Sequence, residues 1–283
     1  MSKESKPMID ARRSFLARLG GAATCAGAAA VGAATLGVAP RVVARSTTTV
    51  EAASFPTKDY DWTLHKWGFG VDATKCIGCL RCVEACKIEN DVPGNAHQFR
   101  TWVERYVHLN GEEQVRIDSQ SDPVNIAASG SEKEFRFANR YRDAKVDKAF
   151  FVPKLCNQCE HPACVQVCPV GATYQTKDGV VLVDKEYCIG CRYCVQACPY
   201  GARYFNEETG TADKCTWCYH RITKGMQPAC VEACPAGARV FGDQKNKNSP
   251  ISEFLRKNRV MVLKPESGNA PNVFYVGIDK EVN

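Results

Sequence analysis

The chain has 283 residues, a length typical of about two domains, and 45% of them are hydrophobic. The formal net charge is +6, but residues 1–44 contribute +4 of it, so the basic balance gives no reason to expect nucleic-acid binding. Seventeen cysteines are far more than an ordinary globular chain carries. Sixteen of them fall into four spaced quartets, which indicates metal binding rather than a disulfide framework.

Residues 1–44 are predicted to be an export signal. Arg12 and Arg13 precede Ser-Phe-Leu and then a weakly apolar stretch of Ala, Gly, Val and Thr, a pattern that looks like a twin-arginine signal. The alternatives are a short membrane anchor and an ordinary amphipathic helix, but so much Gly and Ala suits a transmembrane helix poorly. We expect cleavage after Ala44, and an uncleaved signal remains open. Cys25 lies in this segment and is assigned no role.

An export route of this kind fits the cysteine content. The twin-arginine route carries proteins that are already folded, whereas bare thiols that enter an oxidising periplasm tend to form disulfides. Clusters inserted in the cytoplasm would protect the thiols before export. We therefore expect a periplasmic protein that is attached to the inner membrane through a partner.

The first cysteine run follows an N-terminal lead, residues 45–70, whose Trp62 and Trp67 are expected to pack within the subunit. The run reads CIGCLRCVEAC and lies in a segment assigned to 71–98; its cysteines are Cys76, Cys79, Cys82 and Cys86. Lys87 follows it, where the other three runs have proline. This difference makes the geometry around Cys86 the hardest to predict.

Residues 99–149 are predicted to be an insertion. Its segment FRTWVERYV is a candidate strand, and SQSDPVNIAASGSEKE is predicted to be an exposed loop because polar and turn-forming residues dominate it. The insertion either elaborates the surface or docks a partner.

The central segment, residues 150–210, carries the second and third runs. The second run comprises Cys156, Cys159, Cys164 and Cys168, and the third comprises Cys188, Cys191, Cys194 and Cys198. The third has the spacing C-x2-C-x2-C-x3-C-P. A helix that starts near the third cysteine would place the fourth about one turn further on. Between the runs, Asp178-Gly179 predicts a two-residue hairpin turn between alternating strands.

This central segment resembles a bacterial two-cluster ferredoxin, in which the fourth cysteine of each run serves the neighbouring cluster. The alternative is structural zinc, because tetrahedral sulfur sites suit zinc as well as iron–sulfur clusters. Zinc sites usually pair two C-x2-C units about 15–20 residues apart and need no third and fourth cysteine at these spacings. The spacing therefore favours iron–sulfur clusters.

The fourth run lies in residues 211–245 and comprises Cys215, Cys218, Cys230 and Cys234. The C-terminal extension, residues 246–283, contains a helix start at Ser249-Pro250 and two apolar runs, at 260–263 and 273–278. No apolar run of about 18 residues follows the signal, so we expect the mature chain not to span a membrane.

The four runs together resemble the four-cluster iron–sulfur subunits of the dimethyl sulfoxide, tetrathionate and polysulfide reductase family. The resemblance implies an α+β fold of two nested ferredoxin-like units with pseudo-twofold symmetry, an inner unit (150–210) and an outer unit formed by 71–98 and 211–245. It implies four [4Fe–4S] clusters. Their ligand sets would be Cys76, Cys79, Cys82 and Cys234 (cluster 1); Cys86, Cys215, Cys218 and Cys230 (cluster 2); Cys156, Cys159, Cys164 and Cys198 (cluster 3); and Cys168, Cys188, Cys191 and Cys194 (cluster 4).

The resemblance also implies a function. Such a subunit relays electrons between an integral-membrane, quinone-interacting partner and a catalytic subunit, with a molybdenum enzyme as one option, or a multihaem cytochrome subunit. Sixteen cysteines complete four sets and leave no iron open for substrate, so we expect no catalysis by this chain itself. A free-standing periplasmic polyferredoxin and a catalytic iron–sulfur enzyme are the alternatives.

Several other residues adjoin the runs. Lys75, Lys214, Arg192 and Arg221 could raise cluster potentials by favouring the reduced state, or could be solvated surface charges. His161 and His220 are expected to be loop residues or supports rather than ligands.

Overall fold

The computed structural model describes residues 59–94, 97–129 and 135–282. The predicted signal with Arg12 and Arg13, the cleavage site, Cys25 and residues 45–58 of the lead lie outside these ranges. The described residues all belong to one compact unit, which extends over Val50–Asn283.

Within the described ranges, the protein combines short helices with small sheets. The helices are α1 (Arg81–Glu89), α2 (Pro123–Ala128), α3 (Ala163–Gln166), α4 (Tyr193–Gln196), α5 (Tyr219–Ile222), α6 (Ala229–Glu232) and α7 (Pro250–Lys257). The strands are β1 (Trp67–Asp72), β2 (Thr101–Leu109), β3 (Arg116–Ser119), β4 (Val146–Leu155), β5 (Thr173–Gln175), β6 (Val181–Val183), β7 (Arg203–Asn206), β8 (Thr211–Lys214), β9 (Arg239–Asp243) and β10 (Val273–Val276). This mixture of helices and strands fits the predicted α+β class.

Two three-stranded sheets and two hairpins form the framework. One sheet has the order β10-β1-β9, in which β1 is parallel to β10 and antiparallel to β9. The other is antiparallel, with the order β3-β2-β4. Strand β1 leads towards the first cysteine run, and β4 ends immediately before Cys156, so each sheet delivers the chain into a cysteine loop. The hairpins β5-β6 and β7-β8 each precede a later run.

The predicted hairpin after the second run is present, but its turn is longer than expected. The backbone N–H of Thr176 donates to the carbonyl of Val180 at 2.8 Å, so the turn consists of the three residues Lys177, Asp178 and Gly179. Gly179 has φ of 88°. A left-handed glycine in the third position is typical of three-residue hairpin loops. The two-residue turn was therefore wrong, although its position was right.

The segment predicted to be an exposed loop is partly helical and partly buried. Asp122 caps α2 by accepting a hydrogen bond from the N–H of Val124 at 3.0 Å. The side chain of Gln120 is fully buried and accepts from the N–H of Val103 at 2.9 Å, and Asn125 is equally buried and accepts from the N–H of Ala138 at 2.7 Å. The prediction was wrong because these amides satisfy backbone groups of β2 and of the loop before β4, a tertiary role that local composition does not reveal.

The C-terminal extension packs into the core. The predicted helix start is confirmed: Ser249 caps α7 by accepting from the N–H of Ser252 at 3.2 Å, with Pro250 in the first turn. Phe254 of α7 lies so close to Gly70 that a Cβ there would meet its ring at 2.8 Å. The second apolar run forms β10 beside β1. The extension therefore holds the strand that leads to the first cysteine run.

Both tryptophans of the lead pack within the subunit, as expected. The ring of Trp67 stacks on Phe241 with centroids 5.3 Å apart, and Nε1 of Trp62 donates to the hydroxyl of Tyr219 at 2.7 Å. The buried carboxylate of Asp178 accepts from Nε1 of Trp67 at 3.2 Å and from the hydroxyl of Tyr219 at 3.1 Å. This network ties the lead to the central hairpin and to the fourth run.

A search of the described helices found none with the length and apolar character needed to cross a membrane.

Candidate iron–sulfur centres

The four cysteine runs have the same local structure around their third and fourth cysteines. A short helix begins at the residue just before the third cysteine, so that Cys82, Cys164, Cys194 and Cys230 are the second residues of α1, α3, α4 and α6. The fourth cysteine lies about one turn on, inside α1 in the first run and two residues after the end of the helix in the other three. The helix start predicted for the central segment is thus confirmed, and the first and fourth runs share it.

The residue before the second cysteine has a positive φ in every run. Gly78 and Gly190 have φ of 67° and 70°, whereas Gln158 and Trp217 have 44° and 53°. Such left-handed residues turn successive N–H groups towards one side and form anion-binding concavities. A side chain at this position carries strain, which packing must offset. Gln158 and Trp217 are both buried: the amide of Gln158 donates to the carbonyl of Cys215 at 2.9 Å.

Two enclosed spaces are each lined by four cysteines. One is surrounded by Cys76, Cys79, Cys82 and Cys234 and contains about 320 Å³ of space free of protein atoms, part of it open to solvent. The other is surrounded by Cys156, Cys159, Cys164 and Cys198 and contains about 340 Å³. In each space three thiols come from one run and the fourth comes from another run.

A third group of thiols is buried close together. Burial first, and then the charges of Cys215, Cys230 and Cys218, raise the pKa of Cys86 well above its ordinary value. Burial also raises the pKa of Cys230 to about 12. All four side chains are buried. Ionising four such thiols together is unfavourable unless positive charge lies between them.

The remaining quartet is partly open to solvent. Cys194 is buried and Cys191 is exposed, while Cys168 and Cys188 are half-buried. Sγ of Cys168 accepts from the N–H of Thr173 and Sγ of Cys188 from the N–H of Ala212, both at 3.4 Å. Helices α3 and α4 pack against each other and bring the two runs together.

The turn after the fourth cysteine supplies backbone donors in three runs. Each of these runs continues as C-P-x-G-A, at residues 168–172, 198–202 and 234–238. The N–H of Ala238 donates to Sγ of Cys234 at 3.3 Å. Backbone donors, above all the N–H of Thr173, outweigh burial and lower the pKa of Cys168. The turn therefore favours a thiolate at Cys168.

The first run has Lys87 in place of proline, and a side chain rather than a backbone N–H approaches the sulfur of its fourth cysteine. Helix α1 continues through Cys86 to Glu89, so the chain does not form the turn that follows the fourth cysteine in the other three runs. Nδ2 of Asn90 instead lies 3.6 Å from Sγ of Cys86 and 3.6 Å from Sγ of Cys218. Arg100 orients the amide by donating to its Oδ1 at 3.0 Å. In the first run, therefore, the side chain of Asn90 takes the place of the backbone donor. This role of Asn90 was not identified from the sequence.

The four basic residues singled out from sequence have different environments. Lys75 is 57% exposed and pairs with Asp72 at 3.2 Å. The guanidinium of Arg192 lies 3.9 Å from the centre of the Phe205 ring, and Arg221 pairs with Glu89 and Glu232. Lys214 alone is fully buried, with Nζ donating to the carbonyl of Cys215 at 2.8 Å and to that of Val181.

Two buried arginines line the cysteine cavities, and neither was identified from the sequence. Arg203 and Arg239 each follow a C-P-x-G-A turn directly, and that repeat is the signal that could have identified them. Nη2 of Arg203 lies 3.0 Å from Sγ of Cys164, and Arg203 lines the cavity of that quartet. Arg239 lines the cavity that contains Cys76. Burial acts to lower the pKa of Arg239, but the thiols of Cys82, Cys230 and Cys76 raise it overall.

The two histidines near the runs have other contacts. His220 lies 2.6 Å from a carboxylate oxygen of Glu89, and the N–H of His161 donates to the carbonyl of Asn269 at 3.1 Å. Both contacts fit the expected supporting role.

The donor set fits a bulky anionic group better than a single ion. In the ranges that the structure describes, no group of three or more His, Cys, Asp or Glu side chains is arranged to hold one metal ion. A zinc site would bring four ligand atoms to within about 2.0–2.3 Å of a single point. Thiols spaced around a cavity, with backbone and guanidinium donors aimed at them, suit an iron–sulfur cube.

The fold and the cysteine loops define the chain as a ferredoxin-type iron–sulfur protein. One family of 4Fe–4S dicluster domains matches residues 75–172, and a second family of 4Fe–4S dicluster domains matches residues 147–244. Together the two matches span all four runs.

Similar proteins of known name indicate the family within this class. Three of them are the B subunits of reductases. The chain is 44% identical to that of the tetrathionate reductase of Salmonella typhimurium over 217 residues, which cover 76% of this chain and 74% of the relative. It is 45% identical to that of the tetrathionate reductase of Archaeoglobus fulgidus over 75% of this chain and 83% of the relative. It is 33% identical to the B subunit of the selenate reductase of Mesobacillus selenatarsenatis, over 75% of this chain and 72% of the relative. The chain belongs to the iron–sulfur subunits of the dimethyl sulfoxide reductase family.

The close packing of the first cysteine loop gives a test of its geometry. A Cβ added at Gly78, whose φ is 67°, would lie 2.5 Å from the ring of Phe151. We expect Gly78→Ala to add a steric clash to the roughly 1–2 kcal/mol cost of a left-handed conformation, and to reduce the iron bound per chain. Iron content and the urea midpoint of anaerobically purified protein measure both effects.

Gly111→Ala is the matched control. Gly111 has φ of 83°, but a Cβ there would have no neighbour within 4 Å. This variant should therefore show the backbone cost alone and keep its iron. If the two variants lose stability and iron equally, the close contact between the first loop and Phe151 is not what constrains Gly78.

Proposed function

We propose that this protein is the electron-transfer subunit of a respiratory complex and conducts electrons through four [4Fe–4S] clusters. It would link an integral-membrane, quinone-interacting subunit to a catalytic subunit, molybdenum-containing or not, or to a multihaem cytochrome subunit. The observation that carries the proposal is the pair of cavities, each lined by three thiols of one run and one thiol of a different run.

The proposed ligand sets are those that the family resemblance implies. Both cavities and the buried third group support three of them directly, because each contains the four cysteines assigned to one cluster. The fourth set is supported by the packing of α3 on α4 and by the sulfur-directed N–H groups of Thr173 and Ala212. The exchange of one cysteine between partner runs is the basis for proposing two nested ferredoxin-like units, an inner one and an outer one.

The chemistry of the thiols explains why a cationic core belongs here. Burial and the neighbouring thiols raise the pKa of Cys159 to about 12, and burial raises the pKa of Cys76 to about 11. Iron ions between the sulfurs would supply the positive charge that ionised thiols need, and binding would release their protons. When bound, each cluster supplies reversible one-electron chemistry.

Contacts between the quartets suggest the order of the relay. Nε2 of Gln158, which lies between Cys156 and Cys159, donates to the carbonyl of Cys215 at 2.9 Å, so clusters 2 and 3 would be neighbours at the junction of the two units. Clusters 1 and 4 would then be the ends. At both ends the C-I-G-C loop reaches the surface: Cys79 and Cys191 are exposed, as are Ile77 and Ile189. Exposed apolar loops beside the end clusters suit docking to two different partners.

The relatives suggest the kind of complex. Those described above are named as subunits of tetrathionate and selenate reductases, so we propose a reductase of this type as the partner assembly. Catalysis would belong to another subunit, because sixteen cysteines complete four cube sets and leave no iron free for substrate. A free-standing periplasmic polyferredoxin is the second candidate, and the same two exposed loops would then meet transient partners.

Iron analysis tests the clusters, and a pair of cysteine variants tests the ligand sets. We expect about four irons and four sulfides per cluster in oxygen-protected protein, because each cube has four of each. Cys234→Ala should cost the cluster that Cys76, Cys79 and Cys82 hold, about a quarter of the total iron. Cys25→Ala, measured in protein that retains residues 1–44, is the control: it changes the one cysteine outside the four runs and should leave the iron unchanged.

Two results would contradict this assignment. Zinc in place of iron would reject the clusters. Electron paramagnetic resonance that shows cluster 1 intact in the Cys234 variant, with a different cluster lost, would reject the exchange of cysteines between the first and fourth runs.

Export tests the periplasmic assignment. Changing Arg12 and Arg13 to Lys should leave the cluster-loaded protein in the cytoplasm, because the twin-arginine pair is read as an address. Arg41→Lys in the same segment is the control and should not affect export. Cell fractionation with immunodetection gives the readout, and unchanged export of the Lys-Lys variant would reject the signal.

Purification of the native assembly distinguishes the two candidate functions. An affinity tag after residue 283, with gentle detergent extraction, should recover a membrane subunit and a catalytic or cytochrome subunit. A specific interface of this kind should bury more than about 1,000 Å² and survive purification. Recovery of a monomer from the soluble periplasmic fraction, with no membrane partner, would instead favour the free carrier.

A further inference from the structure

Three buried cations in the cysteine region have no carboxylate partner. Arg239, Lys214 and Arg203 are 3%, 0% and 5% exposed, and none of them forms an ion pair with Asp or Glu in the part of the chain that the structure describes. A buried charge without a counter-charge is costly. Some other anion must therefore compensate for all three.

Other buried cations of this protein show the ordinary arrangement. Arg100 pairs with Asp213 at 2.9 Å, and Arg105 pairs with Asp118 at 2.6 Å. Lys154 pairs with Glu104 at 2.8 Å. The chain thus supplies carboxylates to buried cations elsewhere, and it omits them at the three cations beside the thiols.

Arg239 lies between the first two proposed clusters. It lines the cavity of Cys76, Cys79, Cys82 and Cys234, and its Nη2 donates to the hydroxyl of Thr101 at 2.8 Å. Its Nε and Nη1 have no hydrogen-bond partner among the described residues. Strand β9, which carries Arg239, packs against α6, which carries Cys230 of cluster 2. The thiols of both sets, Cys82 and Cys230, stabilise its charge.

Arg203 occupies the corresponding place between clusters 3 and 4. It donates to Sγ of Cys164 at 3.0 Å and to the hydroxyl of Thr173 at 3.3 Å, and it lines the cavity of cluster 3. Strand β7, which carries Arg203, packs against α4, which carries Cys194 of cluster 4. Cys164, Cys156 and Cys194 all stabilise its charge.

Lys214 lies at the remaining junction, between clusters 2 and 3. Its Nζ donates to the carbonyl of Cys215, a ligand of proposed cluster 2, and to that of Val181, which lines the cavity of cluster 3. Both carbonyls accept hydrogen bonds but carry no full negative charge, and burial lowers the pKa of Lys214, so its ammonium form needs an anion nearby. The three cations therefore alternate with the four cysteine sets.

We propose that Arg239, Lys214 and Arg203 are junction cations, each of which sets the reduction potentials of the two clusters on either side of it. The inference rests on the proposed cluster relay. A fixed positive charge favours the more negative, reduced state of a nearby cluster, and low-dielectric surroundings strengthen the effect. Because each charge is shared, it raises two neighbouring potentials together and keeps adjacent steps of the relay close in energy.

The test is a redox titration of each cluster, followed by electron paramagnetic resonance, with the charge removed at one junction at a time. Arg239→Gln should lower the potentials of clusters 1 and 2, Lys214→Gln those of clusters 2 and 3, and Arg203→Gln those of clusters 3 and 4. We expect the reduced-to-oxidised ratio at a fixed applied potential to fall by roughly tenfold, about 59 mV for a one-electron couple. The other two clusters should not move.

Matched variants separate charge from structure. Lys75 also precedes the first cysteine of its run, as Lys214 does, but it is exposed and pairs with Asp72. Lys75→Gln should leave every potential unchanged. Arg239→Lys and Arg203→Lys keep a charge at the junction and should restore most of the shift that glutamine produces.

The outcomes are distinct from those that test the relay itself. Loss of the proposed function would appear as missing iron in the unaltered protein. If iron is complete but a glutamine variant shifts only one cluster, shifts all four equally, or shifts none, the junction role is wrong. A lysine variant that shifts as much as the glutamine variant would also overturn it.

A second measurement needs no variant and applies if a glutamine protein fails to fold. Unaltered protein labelled with ¹⁵N in the arginine guanidinium, or at the lysine ε-nitrogen, is studied by electron–nuclear double resonance. We expect guanidinium couplings at all four reduced clusters, and lysine couplings at clusters 2 and 3 only. Absence of these couplings would overturn the proposal.

Discussion

The main physical constraint on this structure is the cost of ionising thiols that the fold buries together. Taking several ionisable sulfurs out of water disfavours their charged form, and each thiolate disfavours the next. The raised pKa values of Cys86, Cys215 and Cys230 express this cost directly. Such a group of thiols can ionise together only with positive charge among them, and a cluster core that supplies this charge would also stabilise the fold that gathers them.

The scaffold is arranged around that requirement. Short helices that begin beside each third cysteine fix the spacing of the sulfurs, and left-handed residues before each second cysteine turn N–H groups inward. Where the first run lacks the proline turn, the amide of Asn90 reaches two sulfurs and Arg100 holds it in place. Within the described part of the chain, three buried basic side chains beside the cysteines have no carboxylate partner. Anionic clusters would balance their charge, just as these side chains would balance the charge of the clusters.

Much of this could be read from the residues alone. The spacing within the runs determined the helix beside each third cysteine, because one helical turn separates the third cysteine from the fourth. The Ser249-Pro250 pair determined the start of the last helix, and the alternation around Asp178-Gly179 located a hairpin. These features depend on local backbone geometry and capping, which neighbouring residues specify. The family followed from the same runs, and the comparisons with known proteins confirmed it.

Tertiary structure alone decided which charges matter and which polar residues are buried. Lys75 and Lys214 occupy the same place in their runs, yet one is exposed beside Asp72 and the other is enclosed between two cysteine sets. Gln120 and Asn125, in a segment of surface-like composition, are buried because they complete the hydrogen bonds of neighbouring backbone. Burial and charge compensation depend on what distant segments bring to the same place. Local sequence sets the conformation of each loop, but it does not reveal which loops meet.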